Sequence, residues 1–274
     1  MRLARLIATR GLASRREAEG WIREGRIKVN GEVVTNVATN VTDDDVVQVD
    51  DHALPPEPRK VYYLLYKPKG TITSRRDPKG RKSVFDLLSE LRGPRVESVG
   101  RLDYDTEGAL LLTNDGELAH KLTHPSSKVP KRYLAKVWRT PTDQTLERLR
   151  RGVRLDDGVT QPCKARVADG TDSGNAWLEI TVTEGRNRLV RRMLEALNHP
   201  VSKLRRESFA TLSIRGMERG DLRPLTAEEV ERLRDLAAGK SPSKAGRSAR
   251  YKKGHARPKP KKRRPGMKKR KPKG

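Results

Sequence analysis

One cysteine, Cys163, occurs in 274 residues, so no disulfide can form within the chain. That usage fits a reducing cytosol, and a cytoplasmic protein is expected. A lone cysteine is more often a small packed hydrophobe than a nucleophile. Aromatic residues make up 4% and hydrophobic residues 34%, too little for a chain folded along its whole length. The shortage of aromatics also weighs against a sugar-hydrolysing cleft. No apolar run approaches the roughly 18 residues that a membrane-spanning helix needs. Met1-Arg2-Leu3-Ala4 opens like a leader, but Arg5, Arg10, Arg15 and Arg16 interrupt it before an apolar stretch can form.

Cations are abundant. The chain has 61 Lys and Arg against 35 Asp and Glu, a net charge of +26. Such an excess points to nucleic acid, with an acidic membrane surface as the alternative. Much of it sits at one end: residues 239–274 hold 17 Lys or Arg and no acid, which leaves +9 for the rest. With repeated Pro and Gly, this tail cannot bury a core and is expected to be disordered. It suits phosphate binding through counterion release, with steep salt dependence.

Residues 1–51 read as a compact basic unit. Leu3, Leu6 and Ile7 have helical spacing, and Gly11 ends that helix. Ser14-Arg15-Arg16-Glu17 is a capping box opening a second helix with Ala18, Trp21 and Ile22 on its apolar side. Ile27 to Val33 alternates around Asn30-Gly31, a strong hairpin signal, and Val46, Val47 and Val49 supply another strand. Asp43-Asp44-Asp45 reads as a turn before that strand. Arg15, Arg16, Arg23, Arg26 and Lys28 cluster on the second helix and the hairpin entry and are the expected RNA contacts here. Residues 52–60, with three prolines, read as a semi-rigid linker across which the two domains shift before RNA binds.

The larger unit spans 61–238. Strands are expected at 61–66, 131–138, 164–167, 177–182 and within 204–214; Ser83 and Asp86 cap a short helix. Another helix covers 117–122. Asn187 is expected to cap a helix with Leu189, Val190, Met193, Leu194 and Leu197 on one face and Arg188, Arg191, Arg192 and Glu195 on the other. Thr226 and Glu229 box a last amphipathic helix. His120 and His124 are four apart, but no Glu adjoins His120 and Pro125 follows His124, so zinc is set aside.

The most informative stretch is Val99 to Gly116, VGRLDYDTEGALLLTNDG. It sets Asp103 between apolar flanks, just before a buried-strand run, Ala109 to Leu112, bounded by Gly108 and a turn. Asp103-x-Asp105-x-Glu107-Gly108 imitates a calcium loop, but the ninth and twelfth positions hold Leu111 and Asn114, so calcium is rejected. Three carboxylates also allow glycoside hydrolysis, which the cationic composition disfavours. Taken alone, Asp103 reads as a surface acid.

Gly-Arg-Leu-Asp-x-x-Thr-x-Gly-x-Leu-Leu-Leu-Thr-Asn-Asp-Gly, however, resembles the signature of pseudouridine synthases that modify ribosomal RNA, in the branch of small-subunit enzyme A and large-subunit enzymes B, E and F. The first 51 residues resemble the S4 RNA-binding domain through Ser14-Arg15-Arg16-Glu17-Ala18 and Gly25-Arg26-Ile27-Lys28-Val29-Asn30-Gly31; the Ile7-Ala8 pair is displaced by one residue. The resemblance implies an α+β fold: an S4-type domain, then a catalytic domain with a mixed, mainly antiparallel sheet. It makes Asp103 the essential catalytic residue, acting as an anion, nucleophile or base. It makes Tyr133 the residue stacked on the target base. Glu184-Gly185-Arg186-Asn187-Arg188-Leu189-Val190-Arg191 matches a further motif, in which the position of Arg191 pairs with the catalytic Asp; Leu189 departs from the usual Gln. Arg101, Arg186 and Arg188 are expected RNA contacts. No metal or cofactor is implied. Ribosomal RNA is the implied partner, 23S by similarity of the tail and the 186–188 segment, with 16S as the alternative. Naked RNA and a pre-ribosomal particle both stay open, a monomer is expected, and a non-catalytic assembly factor is the competing class.

Overall fold

The computed structural model describes residues 1–89, 91–168 and 174–240; the tail reading lies, from residue 241 onward, outside them. Among the described residues no helix is long and apolar enough to cross a membrane.

The small domain packs α1 (Leu3–Thr9) and α2 (Arg15–Arg23) on a four-stranded sheet of β1 (Ile27–Val29), β2 (Glu32–Val33), β3 (Val47–Val49) and β4 (His52–Ala53), ordered β2-β1-β3-β4. Ser14 accepts from the Glu17 backbone and Glu17 from the Ser14 backbone, so the box forms as read. This is worth about 1 kcal/mol to so short a helix. Asn30 and Gly31 both have positive φ and close the β1–β2 hairpin. Asp45 accepts from the Thr42 backbone and the Asn30 amide, which makes 43–45 the expected turn. Leu3, Ile7, Ile22 and Ile27 are fully buried between the layers.

The linker starts later than 52. His52–Ala53 pairs with β3 as an edge strand, and Leu54 packs on the small core. Ion pairs join the domains: Glu17 meets Arg76 at 3.0 Å and Arg95 at 3.5 Å, and Arg5 meets Glu117 at 2.7 Å. The partners are exposed or half-buried and open to solvent, so each pair contributes little stability.

The larger domain runs β5 (Tyr62–Lys67), β6 (Glu97–Ser98), β7 (Thr106–Thr113), α3 (Gly116–Thr123), β8 (Lys131–Trp138), α4 (Asp143–Arg151), β9 (Arg154–Leu155), β10 (Gly158–Val159), β11 (Lys164–Val167), β12 (Asn175–Val182), α5 (Leu189–Glu195), β13 (Val201–Phe209), β14 (Leu212–Ser213), β15 (Leu222–Pro224) and α6 (Ala227–Ala237). Its sheet follows β11-β12-β8-β13-β7-β5-β15, with β14 beside β13 and β6 beside β7. Among the described strands only β13 and β7 pair in parallel, so the sheet is mixed and mainly antiparallel. Alternation sorts the faces. Leu64, Tyr66, Ala109 and Leu111 pack with Leu118, Leu122 and Leu233 of α3 and α6. Ala135, Val137, Leu178 and Ile180 pack with residues of α4 and α5. Leu65, Leu110 and Leu112 pack with Val84, Val96 and Leu102.

Two readings of this domain change. Gly108 does not bound the apolar run but lies inside β7, opposite Arg206. A Cβ there would come within 2.2 Å of the Arg206 carbonyl oxygen, and φ is +126°, so glycine is what lets β7 and β13 approach. Asn187 does not cap α5; the cap position is Arg188, at φ +46° and without a side-chain cap bond.

Candidate active site

The site is built on one row of the sheet. Tyr133 of β8 faces Arg206 of β13, Arg206 faces Gly108 of β7, and Gly108 faces Lys67 of β5. Lys67 is fully buried and donates to three carbonyls, those of Thr106 at 2.8 Å, Asp103 at 3.0 Å and Pro68 at 3.1 Å. Burial pulls its pKa down to about 8, against the opposing pull of Asp103 and Asp105. Thr73 donates to the Leu102 carbonyl at 2.9 Å, and the Gly70 N–H donates to the Tyr104 carbonyl at 2.8 Å. The backbone of 102–106 is thus pinned from below. The Asp103 side chain remains about a third exposed.

Above it opens a cavity of about 980 Å³, lined by Asp103, Tyr133, Arg101, Lys131, Arg188 and Arg206 among others. That volume is at the upper end for a small-molecule site and suits a nucleotide with its neighbours. Lys131 donates to the Val129 and Thr183 carbonyls, and burial together with nearby Arg206 brings its pKa to about 8. Arg206 is 2% exposed; its Nε donates to the Ala109 carbonyl. Tyr104 is exposed, with the Arg81 guanidinium 5.7 Å from its ring centroid.

The pairing of Arg191 differs from the expectation. Arg191 Nη2 lies 2.8 Å from Asp105 Oδ2, while Arg188 Nη1 stands 3.7 Å from both Asp103 and Asp105. Arg191 is buried, not on an outer face, and its Nη1 donates to the Val201 carbonyl at 3.1 Å. The reason is helix phase. Arg191 falls among Leu189, Val190, Met193 and Leu194 on the inner side of α5, and Asp105 is what its guanidinium meets there. Leu189, where the family has Gln, is buried in the same core.

Other expected residues fall into two groups. Arg15, Arg16 and Arg101 are exposed. Arg23 lies 3.8 Å from Glu19, Arg26 is held bidentately by Asp50 beside the Trp21 ring, and Lys28 pairs with Asp51. Arg186 is taken up within the protein: it pairs with Glu184 at 2.8 Å and donates to the carbonyls of Asp157, Gly158 and Val159. Cys163 donates to the Leu149 carbonyl, and burial raises its pKa to about 11, so it is a packed thiol. The His120 and His124 ring centroids are 5.7 Å apart, and among the described residues no cluster is placed to hold a metal ion. Sequence reading missed Lys67 and Thr73. The expected strand 61–66 stops at Lys67-Pro68-Lys69-Gly70, and nothing local shows that Lys67 continues it as a buried residue.

A carboxylate, Asp103, at the wall of a cation-lined cavity, carried on a mixed sheet beside a small basic domain, suits an enzyme that acts on RNA. Residues 61–196 match the family described as RNA pseudouridylate synthase, and residues 1–47 match the S4 domain. The chain is 48% identical over 237 residues to ribosomal large subunit pseudouridine synthase B of Bacillus subtilis (strain 168), covering 86% of this chain and 96% of that protein. It is 42% identical to an uncharacterized RNA pseudouridine synthase of Aquifex aeolicus, covering 85% of this chain and 93% of the relative. A crystal structure of a pseudouridylate synthase aligns with a TM-score of 0.62 at 30% identity, covering 85% of this chain and 99% of that one. The chain belongs to the RNA pseudouridine synthase family, with an N-terminal S4 domain.

Proposed function

We propose that this synthase converts uridine to pseudouridine in large-subunit (23S) ribosomal RNA, working as a cytoplasmic monomer, with Asp103 as the catalytic carboxylate. The supporting observation is the placement of Asp103: its backbone is clamped by Lys67 and Thr73 while its side chain opens into the cavity that Tyr133 and Arg188 also line. Similarity to the Bacillus subtilis large-subunit enzyme supports the choice of RNA.

The reaction breaks the N1–C1′ bond of uridine and forms a C5–C1′ bond; C5 releases its hydrogen as a proton and the freed N1 takes one up. Atoms and electrons balance without redox or net hydrolysis. A stacked base cannot reach Asp103, so the target is flipped out or already in a loop. Tyr133 offers a ring to stack on the extruded uracil. Arg188 stands 3.7 Å from Asp103 and sets a cation beside it, and Arg191 holds Asp105 so that the turn keeps its shape. Exposed Arg15, Arg16 and Arg101 are the phosphate contacts.

The test is tritium release from ribosomal RNA labelled at uracil C5. Wild type should release tritium and Asp103→Asn should not, while both bind RNA alike. Release from 16S but not 23S RNA would move the substrate to the small subunit. Release by Asp103→Asn at the wild-type rate would remove Asp103 from the chemistry. Binding without release, on naked RNA and on assembly particles alike, would favour a non-catalytic assembly factor.

A further inference from the structure

The β9–β10 hairpin has no place in the reaction just described, yet it is tied to the segment that carries the site arginines. Its tip residue Asp157 accepts a two-pronged bond from Arg192 of α5: Nη2 to Oδ1 at 2.7 Å and Nη1 to Oδ2 at 2.9 Å. Arg186, at the other end of that segment, donates to the Asp157 carboxylate and carbonyl, both at 3.3 Å. It continues to the Gly158 carbonyl at 3.1 Å and the Val159 carbonyl at 2.7 Å. Glu184 closes the arrangement, pairing with Arg186 and accepting from the Gln161 N–H at 2.8 Å just after the hairpin. Below, Leu155 packs on the core that holds Leu189 and Val190.

Between these two anchors stand Arg188 and Arg191, which pair with the carboxylates of Asp103 and Asp105. Arg188 has left-handed backbone geometry without a side-chain cap bond, a conformation that surrounding contacts must hold. We propose that Asp157 is a positioning residue. Clipping Arg192 and Arg186 on either side, it fixes the entry to α5 and thereby sets Arg188 and Arg191 against Asp103 and Asp105. Arg186 and Arg192 are then internal fasteners rather than RNA ligands. The two arginines hold the Asp157 carboxyl down to about 2, so the clip persists throughout the neutral range.

The inference rests on the reading of Asp103 as the catalytic carboxylate, and one experiment separates the two. Tritium release is followed in single turnover at saturating C5-labelled ribosomal RNA, with RNA affinity measured in parallel. The proteins are wild type, Asp157→Asn, Arg192→Lys and the double variant. A misplaced site group costs about 10- to 100-fold in rate, so each single variant should lose about tenfold or more. RNA affinity should stay within twofold of wild type. The double variant should be no slower than the slower single, because both changes break one unit. Arg192→Lys keeps the charge and loses the fork, so it reads the clip even where Asp157→Asn folds poorly. Asp157→Glu, which can still reach the guanidinium, should recover part of the rate.

Three results overturn the proposal. One is wild-type rates in both single variants. Another is independent, multiplying losses. The third is weaker RNA binding by Arg192→Lys with tighter binding by Asp157→Asn, which would make the arginines RNA ligands and the carboxylate their competitor. If wild type itself releases no tritium, the reading of Asp103 fails instead.

Discussion

Replacing Lys67 by Met tests the pinning of the Asp103 turn most directly. In wild type an ammonium sits in a fully buried position, and its pKa falls from 10.5 to about 8. At about 1.4 kcal/mol per unit, keeping the charge there costs about 3 kcal/mol at pH 7. Methionine removes that cost, but it orphans the carbonyls of Pro68, Asp103 and Thr106. An unsatisfied buried acceptor costs about 1–3 kcal/mol, so the three together lose about 6 kcal/mol. The carbonyls win, and Lys67→Met should destabilise by about 3 kcal/mol at pH 7. The pH dependence supplies a sharper check. A lysine with a lowered folded pKa binds fewer protons when folded than when unfolded between pH 8 and 10.5. Wild-type stability therefore gains from this group as pH rises through that window. From pH 7 to 9.5 the gain is about 2 kcal/mol, and the variant lacks it. Lys131, also near 8, adds a similar gain to both proteins and cancels in the comparison. Urea melts of both proteins at pH 7 and pH 9.5 measure this directly. The gap should widen by about 2 kcal/mol. A gap that stays constant, or a loss at pH 7 below about 1 kcal/mol, would refute the reasoning.

Other perturbations follow from the same geometry. Gly108→Ala should cost about 3 kcal/mol or more, because the new Cβ meets the Arg206 backbone at 2.2 Å; a melt showing less than about 1 kcal/mol would mean that β13 yields there. Arg191→Lys should lose far more tritium release than RNA affinity, since it unseats Asp105 without touching the exposed cations; equal losses would take Arg191 out of the site. Removing residues 239–274 deletes 17 cations and should flatten the slope of log affinity against log salt by several units, while leaving single-turnover release at saturating RNA unchanged. An unchanged slope would show that the tail makes no phosphate contacts.

Elements whose local signals agreed were legible in the sequence. Strands 131–138 and 164–167 match to the residue, because period-two alternation and sheet position coincide there. The boxes at Ser14 and Thr226 formed because both partners lie three residues apart, within one helical turn. Arginine-rich segments were harder. α4 and the β9–β10 hairpin were not expected: in α4 just Leu146 and Leu149 mark the buried face, and the hairpin strands are two residues each. Arg191 was placed on the wet side of its helix because charge is the usual sign of exposure; its partner Asp105 lies 86 positions away, beyond any local pattern. Asp103 was identifiable only through the signature. The Lys67 contacts that position it depend on β5 and β7 meeting, which no window of sequence displays.

The strand order also sets a schedule. β13 fills the space between β8 and β7, yet it is synthesised long after both. Until residues 201–209 have left the ribosome, Tyr133 and the Asp103 turn have no shared sheet, and Arg191 has no Val201 carbonyl to hold. The S4 domain is complete by residue 54 and can fold while the rest is still being made. A nascent chain of this protein therefore acquires its RNA-binding module well before its chemistry. The parallel pairing of β13 with β7, Leu204 against Thr106, is the non-local contact that joins the two parts of the site.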